Sequence, residues 1–262
     1  MSRVDRPRQT LPTRIESTEP LPAAYHDALE RGLRDLGLVL APAARAIIDG
    51  HARLLLAWTG SINLTAIRVP ADVARLHVMD SLAGLGAVAS DGVARARILD
   101  LGSGGGYPGL VLAAALPEAQ VVLVDSVGKK VRFLETAIGA LGVTGRVRAV
   151  AARSESLASD RLHREAHDVV VARAVGSLRE LAEIGLPLVR VGGQLVAWKR
   201  GDVDAEIAEA RPTIAALGGG AVQVTRIQAS GLDGHVVVVV AKETTTPAGY
   251  PRDPATRRRH PL

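Results

Sequence analysis

Apolar and polar positions follow two rhythms along this chain. Leu29, Leu33, Leu36 and Leu40 recur at helical spacing, the apolar stripe of an amphipathic helix. A second helix is expected over residues 43–58 and a further helical stretch over 71–88. From Arg97 the rhythm changes. Short β-type runs are expected at 97–101, 120–125, 146–151, 168–173, 193–199, 222–228 and 235–241. Helices are expected at 108–116, 128–141, 177–190 and 202–217. Such alternation implies parallel strands joined by right-handed crossovers. The last two runs are separated only by Ala229-Ser230-Gly231-Leu232-Asp233-Gly234, too short for a crossover helix, so they are expected to close as an antiparallel hairpin. The expectation is an α/β fold: a seven-stranded, Rossmann-like sheet behind a helical cap. The chain divides into a flexible, Pro/Thr/Arg-rich tail (1–20), the cap (21–92), the sheet domain (93–245) and a basic tail (246–262).

Composition narrows this picture. At 47% hydrophobic but only 2% aromatic residues, the core must be built from Leu, Val, Ile and Ala. No apolar run reaches the length of a membrane span, and the arginines at 3, 6, 8 and 14 are not followed by the apolar segment of a secretory signal. A cytoplasmic protein without a membrane partner is expected. There is no cysteine, which excludes disulfides, cysteine metal sites and methyl transfer through a cysteine nucleophile; no metal is expected. The net charge of +5 points to a polyanionic partner. Only four of the basic residues are lysines, at 129, 130, 199 and 242.

The segment Ile98-Leu99-Asp100-Leu101-Gly102-Ser103-Gly104-Gly105-Gly106-Tyr107-Pro108-Gly109 reads as strand, glycine turn and helix start. Glycines permit a tight turn and close approach to a ligand, and Pro108 is placed to open a helix. Gly104, Gly106 and Gly109 also fit dinucleotide spacing. Asp100 argues against that ligand, because a carboxylate at the strand end would repel a pyrophosphate. S-adenosylmethionine carries no phosphate and offers an ammonium. Asp125, ending the second run, suits the ribose hydroxyls of either ligand or a helix cap. Five parallel strands with a terminal hairpin fit the class I S-adenosylmethionine-dependent methyltransferase sheet better than a dinucleotide-binding sheet.

An ordered series of short segments then converges: Ser61-Ile62-Asn63-Leu64-Thr65-Ala66-Ile67-Arg68, His77-Val78-Met79-Asp80-Ser81-Leu82, the glycine turn, Lys129-Lys130 with Phe133-Leu134, Arg153-Ser154-Glu155, Val171-Ala172-Arg173-Ala174-Val175, Trp198-Lys199, Tyr250-Pro251-Arg252 and Pro261-Leu262. The series resembles the bacterial 16S ribosomal RNA (guanine-N7) methyltransferases, the glucose-inhibited division protein B family, over about residues 54–262. The resemblance implies an enzyme that uses S-adenosylmethionine to methylate N7 of one guanine in 16S ribosomal RNA of the small ribosomal subunit; separately, a monomer is expected. It implies cofactor binding by Gly102, Gly104, Gly106, Asp125 and the Arg153-Ser154-Glu155 segment. Three positions depart from the family pattern: Asp125 replaces a usual Glu, Arg200 intervenes between Lys199 and Gly201, and Asp253 follows Arg252 where a second basic residue is common.

The candidate cofactor residues are therefore Asp100, Gly102, Ser103, Gly104, Gly106, Tyr107, Asp125, Ser154, Glu155 and Arg173. Arg173 and Lys199 are expected to position substrate, and Lys129, Lys130, Lys199, Arg252, Arg257 and Arg258 to contact RNA phosphates. Guanine N7 has a lone pair and no proton to lose, so no general base is expected. Arg173 could donate to guanine O6 or a phosphate, or form a structural ion pair. His77 and Asp80 share a helix face and are either a surface pair or support for the pocket. Asn63 is open to two readings, a turn-ordering residue or part of the site. A small-molecule methyltransferase and a non-catalytic cofactor-sensing RNA-binding module remain as alternatives, with a dehydrogenase more distant.

Overall fold

The computed structural model describes residues 11–89 and 95–262. Helices α1 (Ala23–Asp35) and α2 (Pro42–Thr59) come first. The expected stretch over 71–88 is broken into α3 (Pro70–Asp72), a π-helical run Val73–Met79, α4 (Asp80–Ala83) and, beyond Gly84, α5 (Leu85–Val88). The wider π turn is an arrangement often found at functional sites, and it contains His77 and ends just before Asp80.

The main body follows as β1 (Arg97–Leu101), α6 (Gly109–Ala115), β2 (Gln120–Asp125), α7 (Gly128–Ala140), β3 (Val147–Ala151), α8 (Ser154–Ser159), β4 (His167–Arg173), α9 (Leu178–Gly185), β5 (Val189–Arg200), α10 (Asp204–Ala216), β6 (Gly219–Arg226), β7 (His235–Lys242) and α11 (Pro254–Arg259). The sheet order is β3-β2-β1-β4-β5-β7-β6. The first five strands are parallel, and β7 is antiparallel to both β5 and β6. The α/β expectation and its terminal hairpin both hold.

Some boundaries differ. The helix expected over 177–190 ends at Gly185, where a 3-10 turn at Leu186–Leu188 feeds β5 four residues earlier than expected. Pro108 lies one residue outside α6 as its N-cap. Helices α8 and α11 were not expected.

Side chains alternate between faces of each strand, so the sheet has two cores. Ile98, Val121, Leu123, Val169, Val171 and Val196 face α1, α2, α6 and α7. Leu99, Leu101, Val124, Val170, Ala172 and Leu195 face α9 and α10. The N-terminal helices thus share one continuous core with the sheet.

Both ends of the chain depart from the expected tails. Residues 1–10 lie outside the described residues, but 11–20 are fastened to α2. Trp58 Nε1 donates to Pro12 O at 2.7 Å, and Arg53 donates to the carbonyls of Ile15, Thr18 and Glu19. The basic C-terminal segment is docked rather than solvated. Arg164 donates to the carbonyls of Thr246, Pro247 and Tyr250, Arg252 grips Glu183 through two nitrogens (2.7 and 2.8 Å), and Asp253 caps α11.

Candidate active site

Register places the chemistry. Asp100 near the end of β1 pairs with Leu123, Asp125 ends β2, and Arg173 ends β4 opposite Trp198 of β5. These are the carboxyl ends of parallel strands, where α/β sheets bind ligands. Because β7 runs antiparallel, its first residue, His235, lies opposite Arg200 at this same edge.

The glycine turn is pinned from below. Ser103 Oγ donates to Asp100 O at 2.9 Å and accepts from Val124 N at 3.0 Å, tying β1 to β2. Asp125 accepts from Gly104 N (3.0 Å) and Val127 N (2.8 Å), with Lys130 Nζ 3.7 Å away. It does not cap α7; Val127 occupies the cap position. Gly104 adopts φ +54°, and a Cβ there would meet no atom closer than 3.7 Å. It would occupy the hollow of the turn instead.

Asp100 is fully enclosed. Its Oδ2 accepts from Gly109 N at 3.0 Å, while Oδ1 has no partner. Burial pushes this carboxyl up to about 7, against the opposing pull of the Gly109 hydrogen bond.

Above the turn stands a stack of rings. Tyr107 lies between His51 (centroids 4.4 Å) and His77 (4.6 Å), with the Arg173 guanidinium 5.5 Å over its ring. His51 Nε2 lies 2.7 Å from Gly105 O, bracing the turn. Burial lowers His51 to about 4 and His77 to about 3, with Arg173 adding to both shifts, so both rings are neutral at pH 7.

A chain of polar contacts runs on from the stack. Arg173 donates to Asp80 Oδ2 (2.9 Å), Leu76 O (3.1 Å) and His77 Nδ1 (3.0 Å). His77 Nε2 lies 2.7 Å from Thr65 Oγ1, and Asp80 Oδ1 lies 2.8 Å from His235 Nδ1. The structural ion pair considered for Arg173 is therefore present, while Arg173 still lines the cavity. Lys199 Nζ bridges Glu206 (2.7 Å) and Gly176 O (2.9 Å).

Two adjoining hollows occupy this edge. One, of about 620 Å³, brings together Gly102, Ser103, Gly104, Tyr107, Arg173 and Lys199. The other, of about 370 Å³, brings together Asp125, Ser154 and Glu155. They share Gly102, Lys130, Ala174 and Val175.

Residues 45–236 match the sequence profile of a family described as rRNA small subunit methyltransferase G. The chain belongs to this family. It is 41% identical over 208 residues to the ribosomal RNA small subunit methyltransferase G of Roseiflexus castenholzii, covering 79% of this chain and 87% of the relative. With the Symbiobacterium thermophilum protein of the same name it shares 36% over 244 residues, 91% and 98% of the two chains. The apo S-adenosylmethionine-dependent methyltransferase SibL shares the fold, with a TM-score of 0.52, 19% identity, and coverage of 85% and 77%. As a family member the chain is a methyltransferase, and its methyl donor is S-adenosylmethionine.

The residues of this family member fit that donor. The open turn at Gly104 admits it, and Asp125 retains lone pairs toward the smaller hollow. Gly106 and Asp100 lie beneath the turn rather than on the hollows. Lys129 is exposed and lines neither. Arg252 and Arg257 are held by Glu183 and Glu155, and Arg258 is exposed. The sequence reading missed Thr65, His51 and His235. Thr65 sits in a quoted motif, but His235 opens a valine-rich strand that carries no chemical signal.

Proposed function

We propose that this methyltransferase acts on N7 of a guanine in 16S ribosomal RNA of the small subunit, in the cytoplasm and as a monomer. Family membership supports a ribosomal RNA substrate. The observation that carries the reading is the larger hollow, in which Tyr107, Arg173 and Lys199 converge beside the glycine turn. Across both hollows five cations (Lys130, Arg153, Arg173, Lys199, Arg200) face three acids (Asp80, Asp125, Glu155), a balance suited to a phosphate chain.

The donor supplies an electrophilic sulfonium methyl. The N7 lone pair forms the new N–C bond as the C–S bond breaks; its electrons stay on sulfur, the base gains the positive charge, and no proton moves. Consistent with this, His77 and Asp80 have their polar atoms committed to neighbours. The chain's contribution is alignment and exclusion of water.

The test uses purified protein, methyl-labelled S-adenosylmethionine and small subunits from cells lacking the gene, followed by nuclease digestion and nucleoside mass spectrometry. Label in 7-methylguanosine is expected. Label in another nucleoside, or none on subunits and naked RNA, overturns the assignment.

A further inference from the structure

The contacts at the carboxyl edge form one continuous line, Thr65–His77–Arg173–Asp80–His235, in which all five residues border the larger hollow. Donor counting fixes every proton in it. A guanidinium can only donate, so His77 Nδ1 accepts from Arg173. The neutral His77 ring therefore carries its proton on Nε2 and donates to Thr65 Oγ1. That oxygen also accepts from Ile67 N at 3.0 Å. Its lone pairs are then filled, and its own hydroxyl proton is left unspent.

At the other end, the Asp80 carboxylate can only accept, so His235 carries its proton on Nδ1. Its Nε2 is buried and has no partner, and in the neutral ring it is an acceptor. One end of the line thus offers a free donor, and the other a free acceptor.

Guanine presents that complement on its Watson–Crick edge, with O6 accepting beside N1–H and the 2-amino group donating. Adenine reverses it, with an amino donor beside an N1 acceptor. Building on the guanine-N7 reading above, we propose that Thr65 and His235 determine base specificity, Thr65 donating to O6 and His235 Nε2 accepting from the N1–H or 2-amino edge. This leaves N7 free to react. Methylation at N7 makes N1–H more acidic, so the hydrogen bond to His235 strengthens toward the transition state and acts on kcat.

The test compares Thr65→Val, Thr65→Ser and His235→Asn with the unaltered enzyme. His235→Asn keeps a donor for Asp80 at the Nδ1 position and removes Nε2. Single-turnover methylation is measured on small subunits carrying guanine or, by substitution, adenine at the target, alongside cofactor affinity by calorimetry and the thermal midpoint. Thr65→Val and His235→Asn are each expected to lose about tenfold on guanine and to narrow guanine-over-adenine discrimination. Cofactor affinity should be unchanged, the midpoint should show each variant still folded, and Thr65→Ser should recover most activity. Equal loss of cofactor affinity would place these groups on the donor and overturn the proposal. So would unchanged discrimination, or loss in His235→Asn of an ionisation that the unaltered enzyme shows in its pH–rate profile, which would make His235 a general base. The nucleoside formed by the unaltered enzyme reports separately on the guanine-N7 reading.

Discussion

Two groups of buried or half-buried histidines stand at opposite ends of the same sheet. At the carboxyl end are His51, His77 and His235. At the amino end His163 and His167 stack at 5.4 Å and touch through ring nitrogens at 3.2 Å, beside Arg97, Arg146 and Arg148 around a cleft of about 280 Å³. Burial depresses His77 and His167 alike, each to about 3, and each end leaves an imidazole nitrogen unpartnered. A perturbed histidine therefore reports burial, not function. The ends differ in what surrounds the rings. The carboxyl end has an acid, Asp80, bridging two bases and a glycine turn that opens a cradle. At the amino end Asp168 is spent on Arg190 and the backbone of Arg97.

The largest expected break in the comparison is at Gly104. Gly104→Val strains a left-handed backbone and fills the cradle, and cofactor affinity measured by calorimetry should fall by about a hundredfold. Gly145→Val at the amino-end cleft, where a Cβ meets nothing within 4 Å, should leave that affinity unchanged.

Asp80→Ala removes the acid between two buried bases. Denaturant unfolding should show a loss of about 3 kcal/mol, together with loss of methylation. Asp168→Ala, whose partner Arg190 is 44% exposed, should cost about 1 kcal/mol or less.

Asp100 supplies a pH test. Its carboxyl is raised to about 7 by burial, so from about pH 4 to pH 7 the folded chain keeps a proton that the unfolded chain releases. The stability contributed by this group should therefore fall as pH rises through that window in thermal melts, and Asp100→Asn should flatten the dependence.

The smallest effect sharpens the contrast. His77 and His167 both have folded pKa values below the usual 6.5. Below that value the unfolded chain takes up protons that the folded chain refuses. Stability is present above pH 6.5 and falls as pH drops toward 3. His77→Phe and His167→Phe should both weaken this acid sensitivity in thermal melts. Only His77→Phe should lower methylation; His167→Phe should stay within about twofold.

Much of this was legible in the residues. The turn from Asp100 to Gly109 and the acid at Asp125 announced a ligand cradle, because tight turns and strand ends demand particular residue types locally. The arginines at 252 and 257 were expected to contact RNA phosphates; the structure pairs them with Glu183 and Glu155. Nothing in a local pattern pairs residues 69 and 102 positions apart.

The sequence by itself determined the strand–helix alternation, the terminal hairpin and the glycine turn, since each follows from side-chain periodicity and backbone freedom within a few residues. Tertiary structure alone decided the polar line from Thr65 to His235. Its members come from four separate segments, and the Asp80–His235 contact spans 155 positions. Only the parallel register, and the reversal of β7, bring these side chains to one edge. Hydrophobic periodicity records which face is buried, not which polar atoms meet there.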